Sequence, residues 1–274
     1  MRCRAWLGLA LVACLGGFGA SHAVAVSAPA DTYLEDLTWT ELRDRVKAGA
    51  TTVLVPIGGT EQSGPQLALG KHNLRAKVIA GRIAQRLGNA VVAPTLAYVP
   101  EGAISPPAAH MRFTGTISIP EPVFEALLEA TARSFRQHGF RDVVLLGDHG
   151  GYQKSLERVA ARLNREWGGQ PGCRVLALVD YYRVTQTDYL DALRAKGLRD
   201  DEIGTHAGLA DTALMLAIEP AMVRLGALEQ AASAGPREGV HGDPRRATAE
   251  LGRIGVERQI ERSVQVIREA TRPR

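Results

Sequence analysis

The sequence predicts a three-layer α/β/α sandwich built on a largely parallel sheet, and two observations carry that expectation. Four short β-rich runs lack polar alternation: Thr52 to Ile57, Val91 to Ala93, Val143 to Leu146 and Val175 to Val179. Runs that are apolar on both faces belong to a sheet covered on both sides. Amphipathic helices intervene between the runs, and strand and helix in alternation place those helices on the two faces of a parallel sheet.

Taken in order, the first run is followed by Leu74, Val78, Ile79, Ile83 and Leu87, which recur at helical spacing. The second precedes Phe124, Leu127, Leu128, Thr131 and Phe135, and the third precedes Leu156, Val159, Ala160, Leu163 and Trp167, each set forming one apolar helix face. After the fourth run a last helix follows Gly255, with Val256, Ile260, Val264 and Ile267 on one side. His138 precedes the turn at Gly139 and reads as a helix-end cation favoured by the dipole.

The chain of 274 residues opens with Met-Arg-Cys-Arg, an apolar stretch from Ala5 to Ala20 and the small-residue pattern Ser21-His22-Ala23. That order is a secretory leader, so residues 1–23 are expected to be removed and residues 24–274 to form one α/β domain. Export, to the periplasm, is the corresponding expectation. The rival cut is Leu11-Val12-Ala13-Cys14, a lipoprotein-like box that would leave a lipidated Cys14. The apolar run is short for a spanning helix, so no membrane span is expected. Loss of Arg2 and Arg4 lowers the formal charge from +4 to +2, which gives no electrostatic case for nucleic acid. Of three cysteines only Cys173 lies outside the leader, which rules out an internal disulfide in the mature chain.

In such sheets ligands bind beyond the carboxyl ends of the strands. Two polar clusters stand there: Gly58-Gly59-Thr60-Glu61-Gln62-Ser63-Gly64-Pro65-Gln66 after the first strand, and Gly147-Asp148-His149-Gly150-Gly151 after the third. Four histidines, His72, His110, His149 and His206, lie in short glycine-flanked or polar segments. Singly, each reads as well as a cap or a surface imidazole, Glu61 as a solvated loop carboxylate and Asp148 as a helix cap. Their recurrence at strand ends favours a site. Imidazole with carboxylate suits zinc, manganese or iron, which activate water for attack on a carbonyl. No cysteine cluster, phosphate-binding loop or nucleophile elbow offers another chemistry.

At these residues the chain resembles the creatininase family of metal-dependent amidohydrolases. Pro56 to His72 is similar to the family's P-x-G-S-x-E-Q-H-G-P-H-L-P-L-x-T-D, Gly147 to Gly151 to its N-G-H-G-G, and His206 to Thr212 to its H-A-G-E-x-E-T. His110 to Ile117 and Gly239 to Pro244 are smaller echoes. In the family a bridging Asp joins two metals; the motif Glu and the His of N-G-H hold one, and the first motif His and a further Glu hold the other. Glu61 and His149 keep the first set, with His72 at the bridging position. Ser63 replaces the second ion's His, while Gly151 and Leu209 stand at its two Glu positions.

The resemblance therefore implies one divalent ion per subunit (Zn, Mn or Fe) on Glu61, His72 and His149, with Asp148 or Asp211 completing it. His206 is then the expected general acid or base, and Asp211 a ligand or an orienting carboxylate. The implied activity is hydrolysis of a small cyclic amide or formamide-type C–N bond, and the implied assembly a homo-oligomer, in the family commonly a hexamer. Gln66, where the family usually has His, limits how far the family's substrate pocket carries over, and Tyr181 and Tyr182 either line that pocket or are ordinary strand-end aromatics. Two alternatives stay open: a secreted binding protein that kept the fold without catalysis, and a carbohydrate or peptide hydrolase on the same scaffold.

Overall fold

The computed structural model describes residues 32–168 and 172–272. The leader and Cys14 lie outside the described residues. In chain order the elements are α1 (Trp39–Lys47), β1 (Thr52–Ile57), α2 (Lys71–Leu87), β2 (Ala90–Val92), α3 (Glu121–Gln137), β3 (Asp142–Gly147), α4 (Gln153–Trp167) and β4 (Arg174–Ala177). Then follow α5 (Val179–Gln186), α6 (Asp188–Arg194), α7 (Asp200–Ile203), α8 (Leu209–Ile218), α9 (Leu228–Ala234) and α10 (Ala249–Ala270).

The four strands form one parallel sheet in the order β2-β1-β3-β4. Side chains alternate between its faces, as strand geometry requires. Leu54, Val92, Val144 and Leu146 face one core, shared with α2, α5, α6, α8 and α10. Val53, Val55, Ile57, Val91, Val143 and Leu145 face the other, closed by Phe124 and Leu128 of α3 and by Leu156, Val159 and Leu163 of α4. Both faces are dry, which is why these strands show no polar alternation. The sandwich expected from the sequence is the one observed.

Differences lie at the boundaries. The fourth strand ends at Ala177, two residues early, because the chain turns into α5 at Val179. The last helix begins at Ala249, capped by the Thr248 side chain accepting from the Leu251 amide, so Gly252 and Gly255 lie inside it. They are there because α10 presses on α8. A Cβ on Gly252 would stand 1.8 Å from the Ala213 carbonyl oxygen, and one on Gly255 2.7 Å from a Leu214 methyl. Gly252→Ala is expected to destabilise the fold by about 2–3 kcal/mol through overpacking, despite the better helix propensity of Ala. Denaturant unfolding of the two proteins checks this.

The carboxyl edge of the sheet carries the loops that matter. Tyr152, fully buried, clamps two of them: its hydroxyl lies 2.8 Å from the Ile57 carbonyl and 2.6 Å from that of Gly58. The same oxygen accepts from the Asp148 and His149 amides, both at 3.1 Å. The ends of β1 and β3 are thereby fixed to each other just where Glu61 and His149 leave the sheet.

Candidate metal centre

Four side chains, Glu61, Glu101, His110 and His149, bring one donor atom each to within 4.8 Å of one another. Glu61 comes from the loop after β1, Glu101 and His110 from the long segment after β2, and His149 from the end of β3. Gly59, at φ +153°, makes room for the group: a Cβ there would lie 2.4 Å from Glu101 Oε1. Ala109, at φ +49°, holds an unusual backbone for a non-glycine residue immediately before His110. Such local strain is kept where a side chain must be aimed.

The carboxylates are placed as acceptors awaiting a cation. Glu61 Oε2 and both oxygens of Glu101 are buried, with no hydrogen-bond partner among the described residues. Around them, His110 Nε2 is 3.2 Å and His149 Nε2 3.4 Å from Glu61 Oε2, and His149 Nδ1 is 3.5 Å from Glu101 Oε2. Burial and the adjacent Glu61 carboxylate push the Glu101 carboxyl up to about 9. Burial would also raise Glu61, but His72, Lys71 and His149 outweigh it and hold Glu61 well below the usual range. Burial pushes His149 down to about 4, so at neutral pH its imidazole is uncharged with a lone pair to give. Once an ion displaces the Glu101 proton, two buried carboxylates and two neutral imidazoles form a donor set suited to zinc, manganese or iron.

His206, between α7 and α8, is the neighbour of this group. Its Nε2 lies 3.0 Å from the Gln62 carbonyl oxygen, so that nitrogen donates and Nδ1 keeps the lone pair, 3.7 Å from Glu61 Oε1. Burial, reinforced by Lys71, pushes His206 down to about 3. The Gln62 side-chain amide donates to His110 Nδ1 at 3.1 Å and passes 3.2 Å from His206 Nε2. Ala207 at φ +53° sets the turn that follows His206. A polar cavity of about 70 Å³ opens beside His149 and His206 and continues to Tyr182, Thr205, Arg75 and Asp211.

Of the ligands expected from the sequence, Glu61 and His149 are in the cluster. His72 and Asp148 stand on the far side of Glu61. His72 presents Nε2 to Glu61 Oε1 at 2.8 Å and Nδ1 to Asp148 Oδ2 at 2.6 Å, so both ring nitrogens are engaged by carboxylates. Asp148 also takes Arg75 Nε at 2.8 Å and the Tyr181 hydroxyl at 2.8 Å. Asp211 accepts from Lys71 Nζ at 3.1 Å, Arg75 Nη1 at 3.1 Å and the Ala207 amide at 3.0 Å. Of the two tyrosines, Tyr182 lines the cavity while Tyr181 is core. Glu101 was not singled out from the sequence; His110 was, but not as a ligand. No motif marks Glu101, and the only signal was an acid beside a glycine in the segment after a strand.

A parallel α/β/α sandwich with, at the carboxyl edge of its sheet, a Glu/His cluster that could hold a metal ion defines the class of the molecule. The chain belongs to the creatininase family: the family model described as creatinine amidohydrolase matches residues 35–267. It is 33% identical over 209 residues to a mycofactocin precursor peptide peptidase of Mycolicibacterium smegmatis, covering 73% of this chain and 77% of that one. It is 28% identical over 197 residues to a creatinine amidohydrolase of Pseudomonas putida, covering 70% and 74%. A solved creatininase named for manganese superposes with TM-score 0.70 at 26% identity, over 88% of this chain and 99% of that one. No helix among the described residues is long and apolar enough to cross a membrane.

Proposed function

We propose that the protein hydrolyses a small amide or cyclic amide C–N bond, using one divalent ion held by Glu61, Glu101, His110 and His149. The observation that carries this is the trio of buried, unpartnered carboxylate oxygens facing two imidazoles. Leaving such atoms without a partner is costly unless a cation takes them. The donor set is the Glu/His type expected from the sequence, with Glu101 and His110 in the places first assigned to His72 and Asp148. Bound there, an ion supplies Lewis acidity towards a carbonyl oxygen.

The chain's own residues do the rest. His206 is uncharged at neutral pH, and its Nδ1 lone pair is fixed towards Glu61 by the bond from Nε2 to the Gln62 carbonyl. It accepts the proton of the attacking water as the new C–O bond forms, then delivers it to the nitrogen as the C–N bond breaks. The 70 Å³ cavity next to His149 and His206 admits a group of a few atoms, lined by Tyr182, Thr205 and Arg75. A peptide amide is the second reading. The relationship to a precursor peptide peptidase favours it, as do Leu69, Tyr98 and Ile117, exposed apolar side chains on the loops that carry Glu61 and Glu101. With the leader read at residues 1–23, the reaction would take place outside the cytoplasm, in a homo-oligomer.

Cyclic amides, N-formyl compounds and short peptides form the test panel, with metal content measured on the same preparations. His206→Ala is expected to keep its metal and lose about 10²- to 10⁴-fold in kcat, the usual worth of a positioned acid–base group. Full activity in that variant would remove His206 from the chemistry. A metal-bearing wild type inert on the whole panel would favour the binding protein.

A further inference from the structure

Beneath the cluster lies a second layer of charge that the chemistry above does not use. Lys71, His72 and Arg75 are all buried in the first turns of α2, a stretch with no acidic residue. Positive charge is disfavoured at a helix N-terminus by the aligned peptide dipoles, and burying an ammonium is costly on its own. Something else keeps these groups there. Lys71 Nζ is 3.1 Å from Asp211 Oδ2 and 3.5 Å from Glu61 Oε1, and its side chain is fully enclosed. Glu61 is therefore a carboxylate with two sides: Oε1 meets Lys71 and His72, while Oε2 meets His110 and His149.

We propose that the Lys71 ammonium is a built-in second cation. It holds Glu61 by Oε1 so that only Oε2 serves the metal centre, and it fills the gap between Glu61 and Asp211, limiting the subunit to one divalent ion. This rests on the reading of the four-donor cluster as a metal centre. Three carboxylates, Glu61, Asp148 and Asp211, crowd this layer, a concentration of acid that attracts divalent cations. Arg75 bridges Asp148 and Asp211, and His72 bridges Glu61 and Asp148. The remaining pair, Glu61 and Asp211, is joined by Lys71 alone among the described residues. Lys71 is thus a positioning residue, acting through Glu61.

The test is a Co²⁺ titration of metal-stripped protein, followed by visible absorption and by the metal-to-protein ratio after gel filtration. Wild type is expected to take about one equivalent, with a single ligand-field spectrum. Lys71→Ala, which frees the oxygens and leaves room between them, is expected to take a second equivalent with a new spectral component. Lys71→Ala with Asp211→Asn is expected to return to one. A Lys71→Ala protein that binds one equivalent with an unchanged spectrum overturns the role of Lys71 and leaves the metal centre standing. Wild type that binds none overturns both. Two equivalents in wild type would contradict the proposal outright, and should Lys71→Ala fail to fold, Lys71→Ser, which also removes the ammonium and leaves a polar group in its place, is titrated with the same two outcomes.

Discussion

In His149→Ala, metal affinity is expected to fall more than about 100-fold and hydrolysis to fall with it, while the folded protein persists. The His149 imidazole is neutral, so its removal strips no buried charge: its ring faces Glu61 and Glu101, accepts from the Gly151 amide and packs edge-on or tilted against His72, His110 and Tyr152. Glu61→Gln is expected to lose metal to the same extent but to lose stability too. The substitution strips a negative charge from the side facing Lys71 and His72, leaving Lys71 with Asp211 as its remaining carboxylate partner. Breaking one arm of a buried charge network costs about 3 kcal/mol, so the two variants separate by unfolding midpoint while matching in metal content. Elemental analysis and denaturant titration on both proteins check this. Metal retained in His149→Ala would place the ion elsewhere.

The second large effect is a pH dependence that exists only in the metal-free protein. The folded Glu101 carboxyl is pushed up to about 9 from an ordinary 4.5, by burial and then by Glu61. A folded state that holds a proton the unfolded state releases is favoured at low pH and loses that advantage as pH rises through the folded value. Below pH 7 the histidines complicate the slope with the opposite sign, because His149 and His206 are held at about 4 and 3 and resist protonation when folded. Between pH 7 and 9 they are neutral in both states, and Glu101 stands clear. Metal-stripped wild type is expected to lose on the order of 2 kcal/mol across that interval. Glu101→Gln, neutral throughout, is expected to remove that fall. Added metal should reverse the order, stabilising wild type and not the variant. Equal slopes for the two stripped proteins would show that Glu101 does not hold that proton.

The sheet was legible in the sequence because its two dry faces remove the polar alternation that strands otherwise show. Leu54 and Val55 point to opposite cores and are both apolar for that reason. The helices that cover those faces, α2, α3, α4 and α10, wrote their 3.6-residue period plainly. The stretch from Val179 to Ala234 did not, because it is broken into helices too short to display a period, although α5, α6 and α8 pack on α10 and the sheet. In the site, Glu61, His149 and His206 could be placed because each directly follows or adjoins a glycine-marked turn. Glu101 could not: it reaches the cluster through an irregular path in which Ile119 bonds the Val99 carbonyl and Ser118 bonds the Glu101 amide and the Gly102 carbonyl. His72 was named through the resemblance, from its place at the family's bridging position, and only coordinates reveal that both its nitrogens lie against carboxylates.

The four clustered donors leave the sheet from three neighbouring strands, and two of them sit on the segment from 93 to 120, which has no strand and only a single short 3₁₀ turn. An ion gripped by all four would rivet the middle of this segment to the sheet edge. Its two ends are already tied down without the ion, by the Gly58 amide to the Leu96 carbonyl and by the Ile117 amide to the Thr60 carbonyl. Closing the stretch between those anchors costs entropy that grows only slowly with its length, so an ion would add to the fold chiefly by fastening Glu101 and His110, and a chain stripped of it would keep both its sandwich and the anchored ends.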